Sequence, residues 1–222
     1  MKEALRSMTE DMMAMIRRKD FAPFNLALSG GETAKHMFSL WVDEYKDKID
    51  WNNIRFFWVD ERCVPPTSPD SNYGHANRLL FTPLRIQADH IHRIKGENEP
   101  GTEAMRYSWV VKEFLPLFNQ MPTFDCIVGE DSHTASIFPT TMELLSDSRN
   151  YAVSQQPSTG QYRITMTGPL ILNGAPLLVP ILGTNKEPVV QRLSKGYSPS
   201  NDTPAAYILS HAVQATIYGL NP

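Results

Sequence analysis

The sequence has little cysteine, no long apolar run, no excess of either charge and no nucleotide-binding glycine pattern. Its two cysteines, Cys63 and Cys126, do not make a disulfide framework, and no CxxC pair occurs. Free thiols in a reducing compartment are the ordinary reading, with the cytoplasm as the default. The apolar runs fall far short of the roughly 20 residues that a membrane-spanning helix needs. Met1-Lys2-Glu3-Ala4-Leu5-Arg6 carries acid and lacks the apolar core of a secretory signal. A formal net charge of -3 supplies no broad cationic field for nucleic acid or an anionic membrane. A small anion needs only a local site, so that class of ligand stays open. Neither a Walker loop nor GxGxxG is present, and no nucleotide is implied.

What is present is an ordinary globular composition, 41% hydrophobic and 20% charged, over 222 residues, enough for a sizeable core. Leu5, Met8, Met12 and Met15 recur at helical spacing, as do Ala34, Met37, Leu40, Trp41 and Tyr45. The short apolar runs 24–28, 54–59, 124–128, 162–167, 177–182 and 214–218 read as strands. Pro180 inside one of them suggests a bulge or an edge. Pro65-Pro66-Thr67-Ser68-Pro69 reads as a surface loop. Further helices are expected over 72–81, 103–118, 187–193 and 204–211. Strands alternating with helices predict an α/β fold: a mostly parallel, doubly wound, Rossmann-like sheet with helices on both faces. No linker, repeat or low-complexity segment divides the chain, so 1–222 reads as a single domain. In such sheets ligands bind at the carboxyl ends of the strands.

The polar clusters fall mainly at those ends. Ser29-Gly30-Gly31-Glu32-Thr33 follows a strand and opens a helix, where bare glycines and free helical N–H groups favour an anion. The plainer alternative is a turn capped by Thr33. Glu32 suits an anion site only with its carboxylate turned outward. Asp60-Glu61-Arg62 brings two acids and a guanidinium to another strand end, either to fork onto an anion or to form a structural ion pair. Asn72 and Tyr73 either hydrogen-bond a sugar or cap the next helix. Gly129-Glu130-Asp131-Ser132-His133 sets an imidazole beside two carboxylates; it is a proton acceptor at neutral pH or an idle surface histidine. Arg163 and Lys186 are the remaining cations near strand ends. His90-Ile91-His92 offers two ligands on one strand face without a third at telling spacing, so no metal is expected. His36, His75 and His211 read as helix residues.

Taken in order, Leu28-Ser29-Gly30-Gly31-Glu32-Thr33, Trp58-Val59-Asp60-Glu61-Arg62, Ser71-Asn72-Tyr73-Gly74, Gly129-Glu130-Asp131-Ser132-His133-Thr134-Ala135-Ser136-Ile137-Phe138-Pro139 and Arg163-Ile164-Thr165-Met166-Thr167 resemble the glucosamine-6-phosphate isomerase/6-phosphogluconolactonase family, on its lactonase side. The resemblance implies the fold of the related glucosamine-6-phosphate deaminases. It also implies hydrolysis of a phosphorylated sugar lactone, 6-phospho-D-glucono-1,5-lactone, without cofactor or metal. Carried over by position, Ser29, Gly30, Gly31 and Thr33 would hold the phosphate with Arg163 and Lys186. His133 would be the general base, Asp131 would position it, and Asp60 and Arg62 would line the pocket beside the lactone. The deaminases typically read Asp-Glu-Tyr at Asp60-Glu61-Arg62 and carry a glutamate soon after the histidine, where this chain has Thr134-Ala135-Ser136. The chain departs from the family at Ser132, where glycine is usual, and in a shorter connection after Val128-Gly129. The alternatives are a glucosamine-6-phosphate deaminase/isomerase and a sugar-phosphate sensor without turnover. The expected assembly is a monomer or weak homodimer with no nucleic-acid or membrane partner.

Overall fold

The apolar run at 24–28 is buried at all five positions, the pattern of a strand covered on both faces. It is the first strand in a computed structural model that describes residues 1–19, 22–129, 135–182 and 203–219. Helix α1 (Lys2–Arg18) precedes this strand, β1 (Phe24–Leu28), and α2 (Glu32–Glu44) follows it. Then come β2 (Ile54–Trp58), β3 (Asp60–Arg62) and α3 (Asn72–Ala76), which runs through a π-turn at Asn77–Phe81 into α4 (Thr82–Leu84). Next are α5 (Pro100–Phe114), the hairpin β4 (Leu117–Phe118) and β5 (Met121–Pro122), and β6 (Cys126–Val128). The chain ends with β7 (Tyr151–Gln155), β8 (Tyr162–Met166), α6 (Gly168–Ile171), β9 (Leu177–Pro180), α7 (Pro204–His211) and β10 (Ala215–Tyr218). The helix expected over 187–193 lies outside the described residues.

Five strands form a parallel sheet in the order β10-β9-β6-β1-β2, and β3-β8-β7 form an antiparallel sheet beside it. The sheet is parallel as the alternation predicts. The second sheet was not expected, because Asp60-Glu61-Arg62 reads as a strand end rather than as a strand. Its origin lies at Trp58. Tyr107 Oη accepts from the Trp58 N–H at 3.0 Å and donates to the His92 carbonyl at 2.6 Å, while Tyr151 Oη donates to the Trp58 carbonyl at 2.6 Å. These two buried hydroxyls satisfy the Trp58 N–H and carbonyl where the chain leaves one sheet for the next.

Pro180 lies in an internal strand, contrary to the expected bulge or edge. The pairing of β6 with β9 stops at Val128–Leu178, so no β6 carbonyl waits for the missing Pro180 N–H. Against the sheet, α1 buries Leu5, Met8, Met12 and Met13. Thr9, also buried, gives its hydroxyl proton to the Leu5 carbonyl at 2.7 Å and accepts from Trp41 Nε1 at 2.9 Å, which locks α1 to α2. No described helix is long and apolar enough to cross a membrane.

The register sets the site. Leu28 pairs with Trp58 on one side and with Val128 on the other. Ser29 N–H donates to the Val128 carbonyl at 3.0 Å, and Val59 N–H donates to the Leu28 carbonyl at 2.9 Å. The glycine loop, the Asp60 strand and the chain entering 130–134 therefore leave the sheet from three adjacent tips at one end.

Candidate active site

A cavity of 160 Å³ opens at those tips. Ser29 and Gly30 form one wall, Asp60, Arg62 and Asn72 a second, and Arg163 with Gln156 a third. Ala135, Ser136 and Phe138 close it from the segment that follows 130–134.

The glycine loop is built as its sequence suggests. Gly31 is the N-cap of α2 with φ 95°, a conformation that costs glycine little and other residues much. No side chain caps this helix, so Thr33 is not the cap that the plain-turn alternative required. Its first N–H groups are left for solvent or a ligand. Glu32 points outward and pairs with Lys35. Gly30 is required by close approach: a methyl group there would lie 1.8 Å from Asn72 Oδ1. Thr33 is buried and lines a smaller recess behind the loop with Ser29, Gly30 and Gly129, not the main cavity.

Side chains alternate along a strand, so Asp60 and Arg62 face the cavity and Glu61 faces away from it. Asp60 is 5% exposed. It accepts from Asn72 Nδ2 at 3.3 Å and from the Ser136 hydroxyl. Its cross-strand partner Thr165 accepts the Ser136 N–H at 3.0 Å. Ser136 is thus gripped by both members of one strand pair, which fixes the return of the chain from 130–134. Ala135, next to it, takes φ 60°.

Arg62 stands directly opposite Arg163 in the β3–β8 register. Like charges so placed repel. Burial, and then the nearby Arg62, push the Arg163 pKa down, with Asp60 opposing. Guanidinium nevertheless stays charged in proteins. The Nε atoms of both arginines are buried with no hydrogen-bond partner among the described residues. Arg62 Nη1 donates to the Asp70 carbonyl at 2.6 Å. A facing pair of partly buried guanidiniums, each with an unused Nε donor, is a site for an anion.

Of the residues expected from the sequence, Ser29, Gly30, Asp60, Arg62, Asn72 and Arg163 come together around one cavity; Gly31 does not line it and serves as the N-cap of α2. Asp131, His133 and Lys186 lie outside the described residues. Gln156, Ser136 and Phe138 were not anticipated. Gln156 carries no residue-type signal, since only the fold brings it to the cavity. Ser136 and Phe138 sit inside the family-like motif 129–139 but were given no role. Packing places two further side chains. His92 is sandwiched by Phe57 and Phe114, with ring centroids 4.7 and 4.0 Å away, so its ring is part of an aromatic stack. Cys63 borders the site, and burial pushes its thiol up to about 11, away from reactivity.

The fold and the cavity define a class: an α/β protein with an anion-suited polar cleft where its parallel strands end. The sequence pattern of the family described as "Glucosamine-6-phosphate isomerases/6-phosphogluconolactonase" matches residues 1–218. The chain belongs to this family. A 6-phosphogluconolactonase of Treponema pallidum (strain Nichols) is 42% identical over 165 residues, which is 73% of this chain and 68% of that one. The crystal structure of a devB protein matches with a TM-score of 0.88 at 35% identity, over 99% of this chain and 92% of that one. A monomeric glucosamine-6-phosphate deaminase has the same fold, with a TM-score of 0.75 at 17% identity over 98% of this chain and 92% of that one. Fold alone therefore does not separate the two halves of the family.

Proposed function

We propose that the chain hydrolyses 6-phospho-D-glucono-1,5-lactone to 6-phospho-D-gluconate. The observation that carries this reading is the cavity in which Ser29 and Gly30, from the loop that opens the uncapped α2, meet the facing arginines Arg62 and Arg163. Those groups suit the phosphate, while Asp60, Asn72 and Gln156 supply polar contacts for a sugar. The similarity to curated 6-phosphogluconolactonases, at 42% identity in the Treponema pallidum relative, supports the lactone as the substrate.

In this mechanism the phosphate binds the N–H groups after Ser29 and Gly30 and the two guanidiniums, with Lys186 as a further cation. Binding at one end fixes the ring so that C1 faces His133. The imidazole takes a proton as water attacks C1, and Asp131 orients the ring and stabilises the imidazolium. The tetrahedral oxyanion is held by neighbouring N–H donors. It collapses with cleavage of the C1–ring oxygen bond, and the imidazolium returns its proton to the departing oxygen. A lactone carbonyl is already a good electrophile, so a base and fixed geometry suffice. The flanks support this role for His133: Gly129 leaves a strand tip beside Ser29, and Ala135 and Ser136 line the same cavity as Ser29.

The test compares two substrates. The purified protein is expected to open the lactone well above its spontaneous rate and to release no ammonia from glucosamine 6-phosphate. Ammonia release without lactone opening would assign the deaminase chemistry instead. Tight binding of the product with turnover of neither substrate would make the chain a sensor.

A further inference from the structure

Glu61 lies between two cavity residues yet faces away from the cavity. It is 2% exposed and has no salt-bridge partner among the described residues. Four donors converge on it. Oε1 accepts the N–H groups of Arg62 and Asn72, both at 2.8 Å. Oε2 accepts the Tyr73 N–H at 2.8 Å and the Ser71 hydroxyl at 3.0 Å. A carboxylate has about four lone-pair sites, so all are filled. Burial pushes the Glu61 pKa up, while the three backbone N–H bonds hold it down.

The donors are not an arbitrary set. Asn72 and Arg62 are cavity walls. Asn72 also donates through Nδ2 to the Asp60 carbonyl at 3.0 Å, and its Oδ1 rests against Gly30 so closely that no side chain fits there. One carboxylate thus fixes the backbone of Arg62 on β3 and the start of α3. Through Asn72 it also fixes the seat of the glycine loop. A hydrophobic residue in its place would hold neither segment.

We infer that Glu61 is a positioning residue for substrate binding, acting through Asn72 and Arg62 to set the walls that grip the phosphorylated sugar. The inference rests on the lactonase reading above. Glu61 touches no substrate, and its effect falls on binding before chemistry.

The decisive variant is Glu61→Gln, which keeps the size and removes one acceptor. Whichever way the amide turns, its NH₂ meets a backbone N–H, from Arg62 and Asn72 on one side or from Tyr73 on the other. The KM for the lactone is expected to rise by about tenfold, with kcat within about threefold of the parent. A merely structural carboxylate would lower Tm and the active fraction while leaving KM unmoved, and that result would overturn the inference. Should Glu61→Gln fail to fold, Ser71→Ala removes a single donor from the same carboxylate. It is expected to raise KM about threefold; an unchanged KM there likewise overturns the inference. Wild-type protein assayed in parallel separates the two levels: if it does not hydrolyse the lactone, the proposed function fails, whatever the variants do.

Discussion

Arg163 shows how one residue can report on a ligand. Its guanidinium is partly buried, faces Arg62 across the strand pair and leaves Nε without a hydrogen bond among the described residues. Without an anion, that arrangement opposes folding. With a phosphate between the two cations, each donor gains a charged acceptor, an interaction of about 1.5–3 kcal/mol. Arg163→Ala is therefore expected to raise KM by roughly 10- to 100-fold with a smaller change in kcat, because a phosphate contact is largely uniform binding. The ligand-free variant should melt no lower than the parent, since a repulsion has been removed. Steady-state kinetics and a thermal melt check both; a large loss of ligand-free stability would make Arg163 structural. At this scale the sequence was legible wherever chemistry and position coincide. Ser29, Gly30, Asp60, Arg62 and Arg163 were named near strand ends and Asn72 at a helix start, and all reach the cavity. Gln156 was not, because an amide in a turn looks the same whether or not a cavity lies beside it.

Elements whose own composition is strand-like were easy to read, and those defined by their partners were not. Asp60-Glu61-Arg62 has low strand propensity, yet it is β3 because β8 pairs with it and Glu61 finds four donors. Tyr151–Gln155 has a weak alternation and becomes β7 through five register pairs with β8. The β4–β5 hairpin turns on Asn119 and Gln120, both at positive φ, and glutamine at such a position gives no turn signal. The segment at 90–92 is a similar case. Ile91 bridges to Phe56, and the His92 ring enters the slot between Phe57 and Phe114.

That slot has a consequence for stability. Burial first, then Arg55 and His90, with Asp89 opposing, push His92 down from 6.5 to about 4. The folded chain keeps this imidazole neutral, whereas the unfolded chain protonates it near its ordinary value. The contribution is therefore complete above pH 6.5 and is lost as pH falls toward 4. His92→Phe keeps a ring in the slot and removes the titration. Its Tm should fall less between pH 7.5 and pH 5 than that of the parent. Parallel pH profiles measured by calorimetry would count against this account.

For the whole molecule, the parallel order β10-β9-β6-β1-β2 is what makes a site possible. Strands β1 and β6 are distant in sequence but adjacent in the sheet, with Leu28 opposite Val128. Their tips carry the glycine loop and the entry to 130–134 side by side. The alternation of strands and helices made the parallel sheet legible. Strand order was not, because it depends on which apolar faces pack together. The small antiparallel sheet adds Asp60, Arg62 and Arg163 as a wall, so the cavity is a joint product of two sheets.

The central claim is that this cavity directs a histidine-activated water at a lactone carbon, and replacement of His133 tests it most directly. In His133→Ala, kcat for 6-phospho-D-glucono-1,5-lactone is predicted to fall by roughly 10²–10⁴-fold, the usual share of a general base. KM should stay close to the parent value, because Ser29, Gly30, Arg62 and Arg163 remain in place. Full turnover by that variant would contradict the account.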